Sequence, residues 1–324
     1  MARLKIHWWA AACLVSIGAA VFAQDAYAVS LIKLVAIAAL IAGCLRFVML
    51  MGELNFATAA FVGLGAYGAG VATTILQWPL WAALLAGVVM PTIVSVPFGL
   101  VTLRTKGHYF LLTSFAFTET VRIVLSKCDA VGGNSGMVGI FPPRFMDPWM
   151  PAVTVSLASI LLFALYFLEK SDFGKVLVGI RDNENVLKTV GINVLLRKVA
   201  CLAIASFCGG MAGALQAFAN NVISPGDFSY LIAASALAAV KVGGESSIAG
   251  AISGALLLAV LGSFALGFGA GQDALYGAVI VIVVLLMPKG VIGLFSRSTR
   301  SGTSLEQESG PAKLAKKLNR GGAR

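Results

Sequence analysis

Apolar stretches of bilayer-spanning length recur from one end of this chain to the other, and they restrict its fold more than any motif does. A hydrocarbon core about 30 Å thick is crossed by about 20 apolar residues in a helix, whose backbone groups must all pair within the segment. Runs of this kind lie near 8–24, 31–51, 54–76, 80–103, 108–126, 150–168, 199–219, 228–243, 247–269 and 272–288, with 228–243 short for a full crossing. The reading is an all-α polytopic membrane protein with about ten transmembrane helices. Composition agrees: only 12% of the 324 residues are charged and 59% are hydrophobic, against about 25% charged in a soluble domain. Most of the surface must therefore face lipid or other apolar helices, which excludes a cytosolic enzyme, a disordered chain and a secreted disulfide scaffold.

A net charge of +10 would suggest nucleic acid if the chain were soluble, but the Lys and Arg sit at the ends of apolar runs. An even number of crossings puts both termini on one side. Lys33, Arg122, Lys127 and Arg144 then fall on the opposite side, and the 24 basic residues less these four, 20 in all, share the side of the termini. Basic residues flanking spans mark the cytoplasmic side, so both termini are predicted to be cytoplasmic and the bilayer, not nucleic acid, is the expected environment.

Residues 1–30 admit two readings. Arg3 and Lys5 precede an apolar stretch that ends in Ala26-Tyr27-Ala28, the small-x-small pattern of a cleaved signal peptide; cleavage would leave nine of about ten crossings. Trp8 and Trp9 instead suit an interfacial anchor of a retained helix. Residues 31–295 form the transmembrane domain, and 296–324, rich in Ser, Gly, Lys and Arg, read as a basic cytoplasmic tail able to touch anionic headgroups.

Catalytic and cofactor motifs are absent or misplaced. Gly63-x-Gly65-x-x-Gly68 has the dinucleotide spacing but lies inside an apolar run rather than between a strand and a helix. It reads as helix packing through small residues, as do Gly209-x-x-x-Gly213, Gly250-x-x-x-Gly254 and Gly267-x-x-x-Gly271. No P-loop occurs, so ATP-driven work must come from a partner. Cys13, Cys44, Cys128, Cys201 and Cys208, with His7 and His108, show no metal-ligand spacing, and no cofactor or metal is expected on this chain.

Ionisable groups inside a span are costly enough to be functional candidates. Glu119 and Arg122 are three apart on one predicted helix, and either neutralise each other across a turn or line a path. Glu53 lies near a cytoplasmic end, and Glu245 sits in the break Gly243-Gly244-Glu245-Ser246-Ser247. So few groups disfavour a proton-coupled carrier, in which chains of acids and histidines are expected.

The cytoplasmic connection 169–198 is too long for a turn. Ser171-Asp172-Phe173-Gly174 suits a helix start, Val176, Val178, Ile180 and Leu187 supply apolar positions, and Gly191 a stop. A short amphipathic helix there either inserts into a groove on another protein or lies on the headgroups.

From Ser171-Asp172-Phe173-Gly174-Lys175 through Ile180-Arg181-Asp182-Asn183-Glu184 to Gly191-Ile192-Asn193, this connection resembles the ATPase-docking loop of LivM-type permeases of branched-chain amino acid ABC importers. Further blocks agree in order: Asn55-Phe56-Ala57-Thr58-Ala59-Ala60-Phe61 with Gly65-Ala66-Tyr67; Leu103-Arg104 with Gly107-His108-Tyr109 and Glu119-Thr120-Val121-Arg122; Ser224-Pro225-Gly226-Asp227-Phe228 with Gly243-Gly244; and Pro288-Lys289-Gly290. The resemblance covers residues 31–295.

It implies ABC importer permease architecture in a bacterial inner membrane. The expected partners are a second, LivH-like permease, two cytoplasmic ABC ATPases that hold ATP-Mg, and a periplasmic binding protein that delivers substrate. Arg181, Asp182, Glu184 and Gly191 match the docking-loop pattern and are the expected coupling residues, whereas Val186 and Leu187 stand where that pattern favours alanine. Asn55, Thr58, Thr118 and Glu119 are candidates for the translocation path, with helix-packing hydrogen bonds as the competing role. Branched-chain amino acids are the expected substrate. Urea, short amides and other amino acids fit the same architecture, and a self-sufficient secondary transporter with helices broken near Gly243-Gly244 is the competing class.

Overall fold

The computed structural model describes residues 25–105, 107–245 and 247–265, together with Gly277. Its helices are α1 (Ala26–Met49), α2 (Thr58–Thr74), α3 (Leu80–Thr102), α4 (His108–Lys127), α5 (Met150–Lys170), α6 (Asp172–Thr189), α7 (Val194–Asn220), α8 (Tyr230–Gly243) and α9 (Ile248–Ala265). Eight of the ten predicted apolar runs and the connecting helix thus have counterparts. The runs 8–24 and 272–288 and the tail 296–324 lie outside the described residues, apart from Gly277.

Boundaries differ where side chains compete with the helix. Helix α1 begins at Ala26, and the small-x-small triplet forms its first turn. Helix α2 starts at Thr58 rather than 54 because the Asn55 carboxamide oxygen accepts the Ala57 N–H at 3.0 Å and holds residues 53–57 out of the helix. Among the described residues four helical segments are long and apolar enough to cross a membrane: Tyr27–Met49, Leu80–Thr102, Asp147–Lys170 and Val194–Asn220. Helices α8 and α9, expected as separate spans, form a pair bent by 112° at Gly244, which takes φ +110°.

Helices α2, α3 and α7 pack together at the centre, and α1 packs against α5, α7 and α9. Glycine permits the central approach. A Cβ on Gly65 would strike the Gly210 backbone, and one on Gly213 would strike the Val62 carbonyl. In α3, Pro91 lacks the N–H that would bond Gly87, and the Gly87 carbonyl faces Gly210, where a Cβ would sit 2.6 Å from it. The same device closes the bend, Gly250 lying against Gly244 and Gly254 against Ala239. The predicted small-residue role holds at these positions; Gly209 is looser, with its nearest neighbour at 3.8 Å, and Gly267 and Gly271 lie outside the described residues.

At one end of the bundle, two-residue strands β1 (Met137–Val138) and β2 (Val222–Ile223) pair antiparallel, Met137 opposite Ile223. They tie the α4–α5 connection to the α7–α8 connection. The opposite end carries α6.

Candidate functional site

Helix α6 lies between α5 and α7. Gly174, Leu177 and Ile180 are buried beneath it, and Phe173 stacks on Phe47 of α1 with ring centroids 6.4 Å apart. Asp172 opens the first turn, where a carboxylate favours the helix dipole. The hydrogen bond and charge of Lys175, 2.7 Å away, hold its carboxyl below the ordinary range.

The helix is interrupted at Asn183, which has φ −160° and ψ 99°. Its side-chain oxygen accepts the N–H groups of Asn185 and Val186 at 3.1 and 3.4 Å, so Asn183 caps a second, shorter helical piece. Gly191, at φ +84°, ends that piece: its N–H reaches the Lys188 carbonyl and the Ile192 N–H reaches Leu187, the double closure of a left-handed C-cap. Asn193 then caps α7 by accepting the Leu196 N–H at 3.2 Å. The Gly191-Ile192-Asn193 block therefore stops one helix and starts the next.

The four expected coupling residues divide. Arg181 and Asp182 are exposed and pair with each other at 3.3 Å. Glu184 turns inward, meeting Lys188 at 3.0 Å and the buried Lys198 of α7 at 3.5 Å. Gly191 supplies backbone geometry. On the outer side Val186 and Val190 are also exposed, so α6 presents a mixed apolar and charged face.

Behind Glu184 lies a set of charges that sequence reasoning did not pair. Lys198 is 3% exposed and also contacts Glu53 at 3.5 Å. Glu53 in turn accepts the Gly107 N–H at 2.9 Å, at the entrance to α4. Arg46, 2% exposed, forks onto both Glu169 oxygens at 2.9 Å and donates its Nε–H to the Glu245 carbonyl at 3.0 Å; Glu245 itself pairs with Lys241. The forked Arg contact ties α1, α5 and the α8–α9 bend at one level. The charges were visible in the sequence but these pairings were not, because Arg46 stands 123 residues from Glu169 and 199 from Glu245.

The proposed path residues come together only in part. Phe56 is the hub: its N–H donates to Ser114 Oγ at 3.0 Å and its carbonyl accepts from Thr118 at 2.9 Å. Thr58 donates to the Asn55 carbonyl at 3.1 Å. Asn55, Thr58 and Thr118 thus surround the break before α2, whereas Glu119 lies apart in a 2.7 Å pair with Arg122. The Asn55 side-chain nitrogen is buried without a hydrogen-bond partner. A cavity of about 490 Å³ opens elsewhere, between α1, α7, α8 and α9, with Lys33, Gln216, Asn220 and Ser235 among its walls; none of the four path candidates lines it.

Residues 27–287 match the family of permease components of branched-chain amino acid transport systems. The chain belongs to that family. It is similar to the high-affinity branched-chain amino acid permease LivM of Escherichia coli strain K12, with 24% identity over 273 residues, 75% of this chain and 64% of LivM. It is also similar to the ribose import permease RbsC of Bacillus subtilis strain 168, 29% identical over 82% of this chain and 85% of RbsC. A third relative is the probable branched-chain amino acid permease LivH of Methanocaldococcus jannaschii, 30% identical over 44% of this chain and 48% of LivH. No solved structure matches the chain significantly. The chain thus spans slightly less than two thirds of LivM, and its family and apolar helices make it a multi-pass membrane protein.

Proposed function

We propose that the chain is the membrane permease subunit of an ATP-driven importer, translocating branched-chain or related amino acids delivered by a periplasmic binding protein. It works in the bacterial inner membrane beside a LivH-like permease, with both termini cytoplasmic, over two ABC ATPases that bind ATP-Mg. The observation that carries this reading is α6. Gly174, Leu177 and Ile180 face the bundle while Arg181, Asp182, Val186 and Val190 face outward, an amphipathic arrangement suited to a groove on a partner. ATP binding to the partners favours one arrangement of the two permeases, and that differential affinity shifts the spans. Selectivity then rests mainly with the binding protein. The similarity to a ribose permease supports this, since related spans serve relatives whose names specify different cargo.

Uptake of labelled leucine into liposomes holding this chain, the second permease and the ATPases, with the binding protein supplied, tests the proposal. It requires uptake that depends on ATP and on every partner. Uptake by this chain alone, driven by an ion gradient, overturns it in favour of a secondary carrier. Leucine failing where a short amide or urea succeeds reassigns the substrate.

A further inference from the structure

The charged contacts behind α6 fall into two groups of different geometry. Arg46 and Glu169 form a forked, close contact at the root of the helix. Lys198 instead stands between two carboxylates from different elements, 3.5 Å from Glu53 and 3.5 Å from Glu184. It is almost wholly buried, as is Glu53, so water and salt screen these contacts little.

Glu184 lies just past the interruption at Asn183, on the short capped piece of α6 that follows. Glu53 opens the non-helical segment that leads into α2, and it also holds the N–H of Gly107 at the start of α4. A displacement of the piece 184–189 therefore changes the field on Lys198, and through it the seat of Glu53 at the entrances to two spans. The forked contact offers no such freedom, because both of its hydrogen bonds are short and mutually aligned.

The geometry points to Lys198 as a positioning residue that relays movement of the outer piece of α6 to the Glu53–Ala57 break, with Arg46–Glu169 as the fixed root. This rests on the reading of α6 as the ATPase-docking helix. Glu53–Lys198–Glu184–Lys188 is then a chain of alternating charge running from the docking helix into the bundle.

The test uses the complete transporter in liposomes and reads amino acid uptake per ATP hydrolysed, alongside co-purification of the ATPases. In Lys198→Met the ATPases are expected to co-purify and hydrolyse ATP while uptake per ATP falls about tenfold, since the buried Glu53 and the half-buried Glu184 lose their shared cation. Lys198→Arg restores the cation and keeps uptake per ATP within about twofold. Glu53→Gln, which keeps an acceptor for Gly107 but lowers the charge, falls in the same direction as Lys198→Met and decides the matter if the Met variant does not insert. An unchanged ratio of uptake to hydrolysis in the Met and Gln variants, with only the yield of complex reduced, overturns the relay and makes Lys198 purely structural. ATPases that fail to co-purify with the unaltered chain overturn the docking reading itself.

Discussion

Arg46 and Glu169 meet through two parallel hydrogen bonds of 2.9 Å, joining the end of α1 to the end of α5 although the residues lie 123 apart in sequence. With Arg46 nearly sealed from solvent, Arg46→Met leaves the largely covered Glu169 carboxylate without its partner, a loss of about 3 kcal/mol, at the low end for a broken buried pair. Arg46→Lys recovers only part, because a single ammonium cannot form the fork. Thermal unfolding of the purified chain in detergent should rank wild type above Lys above Met.

The glycine contacts separate sharply by position. A methyl on Gly65 or Gly213 would meet backbone atoms of another helix, which cannot rotate away, whereas at Gly209 the nearest atom is 3.8 Å off. Gly65→Ala and Gly213→Ala are expected to destabilise by about 3 kcal/mol or more, at or above the upper end for overpacking. Gly209→Ala should be neutral or stabilising by up to about 1 kcal/mol from helix propensity. Yield of monodisperse protein after mild heating distinguishes the two classes.

Gly191 combines a φ of +84° with open space where a side chain would go. Gly191→Asn, which tolerates that backbone region, should keep transport near wild type. Gly191→Pro also deletes the N–H that reaches Lys188, and should leave the chain inserted while uptake is lost. Glu184→Lys, which sets a third cation beside Lys188 and Lys198, should behave like the proline variant. Normal uptake in both removes the coupling role assigned to this loop.

Ser114 and Thr118 hold opposite sides of the Phe56 residue, one at its N–H and the other at its carbonyl. Ser114→Ala and Thr118→Val should each cost about 1 kcal/mol. Because both act on one short segment, the double variant should cost less than the two singles together, which a double-mutant cycle on unfolding will show.

Helix identity is legible in the sequence, since in lipid a backbone has no solvent to bond and an apolar run of sufficient length must satisfy itself. The stop at Gly191 and the small-residue approaches at Gly65, Gly213, Gly250 and Gly254 were legible for a similar reason: each is a local rule about φ or about the absence of a Cβ. The break at 53–57 was not, because the local Asn55 turn is held in place by Ser114 and Thr118 from another helix, which bond Phe56. Nor was the division of the coupling residues, in which Arg181 and Asp182 face outward while Glu184 turns in to Lys198. Helical hydrogen bonds run between residues four apart and are written in nearby sequence. A buried ion pair depends on where two distant span ends meet, and only packing of the whole bundle sets that distance.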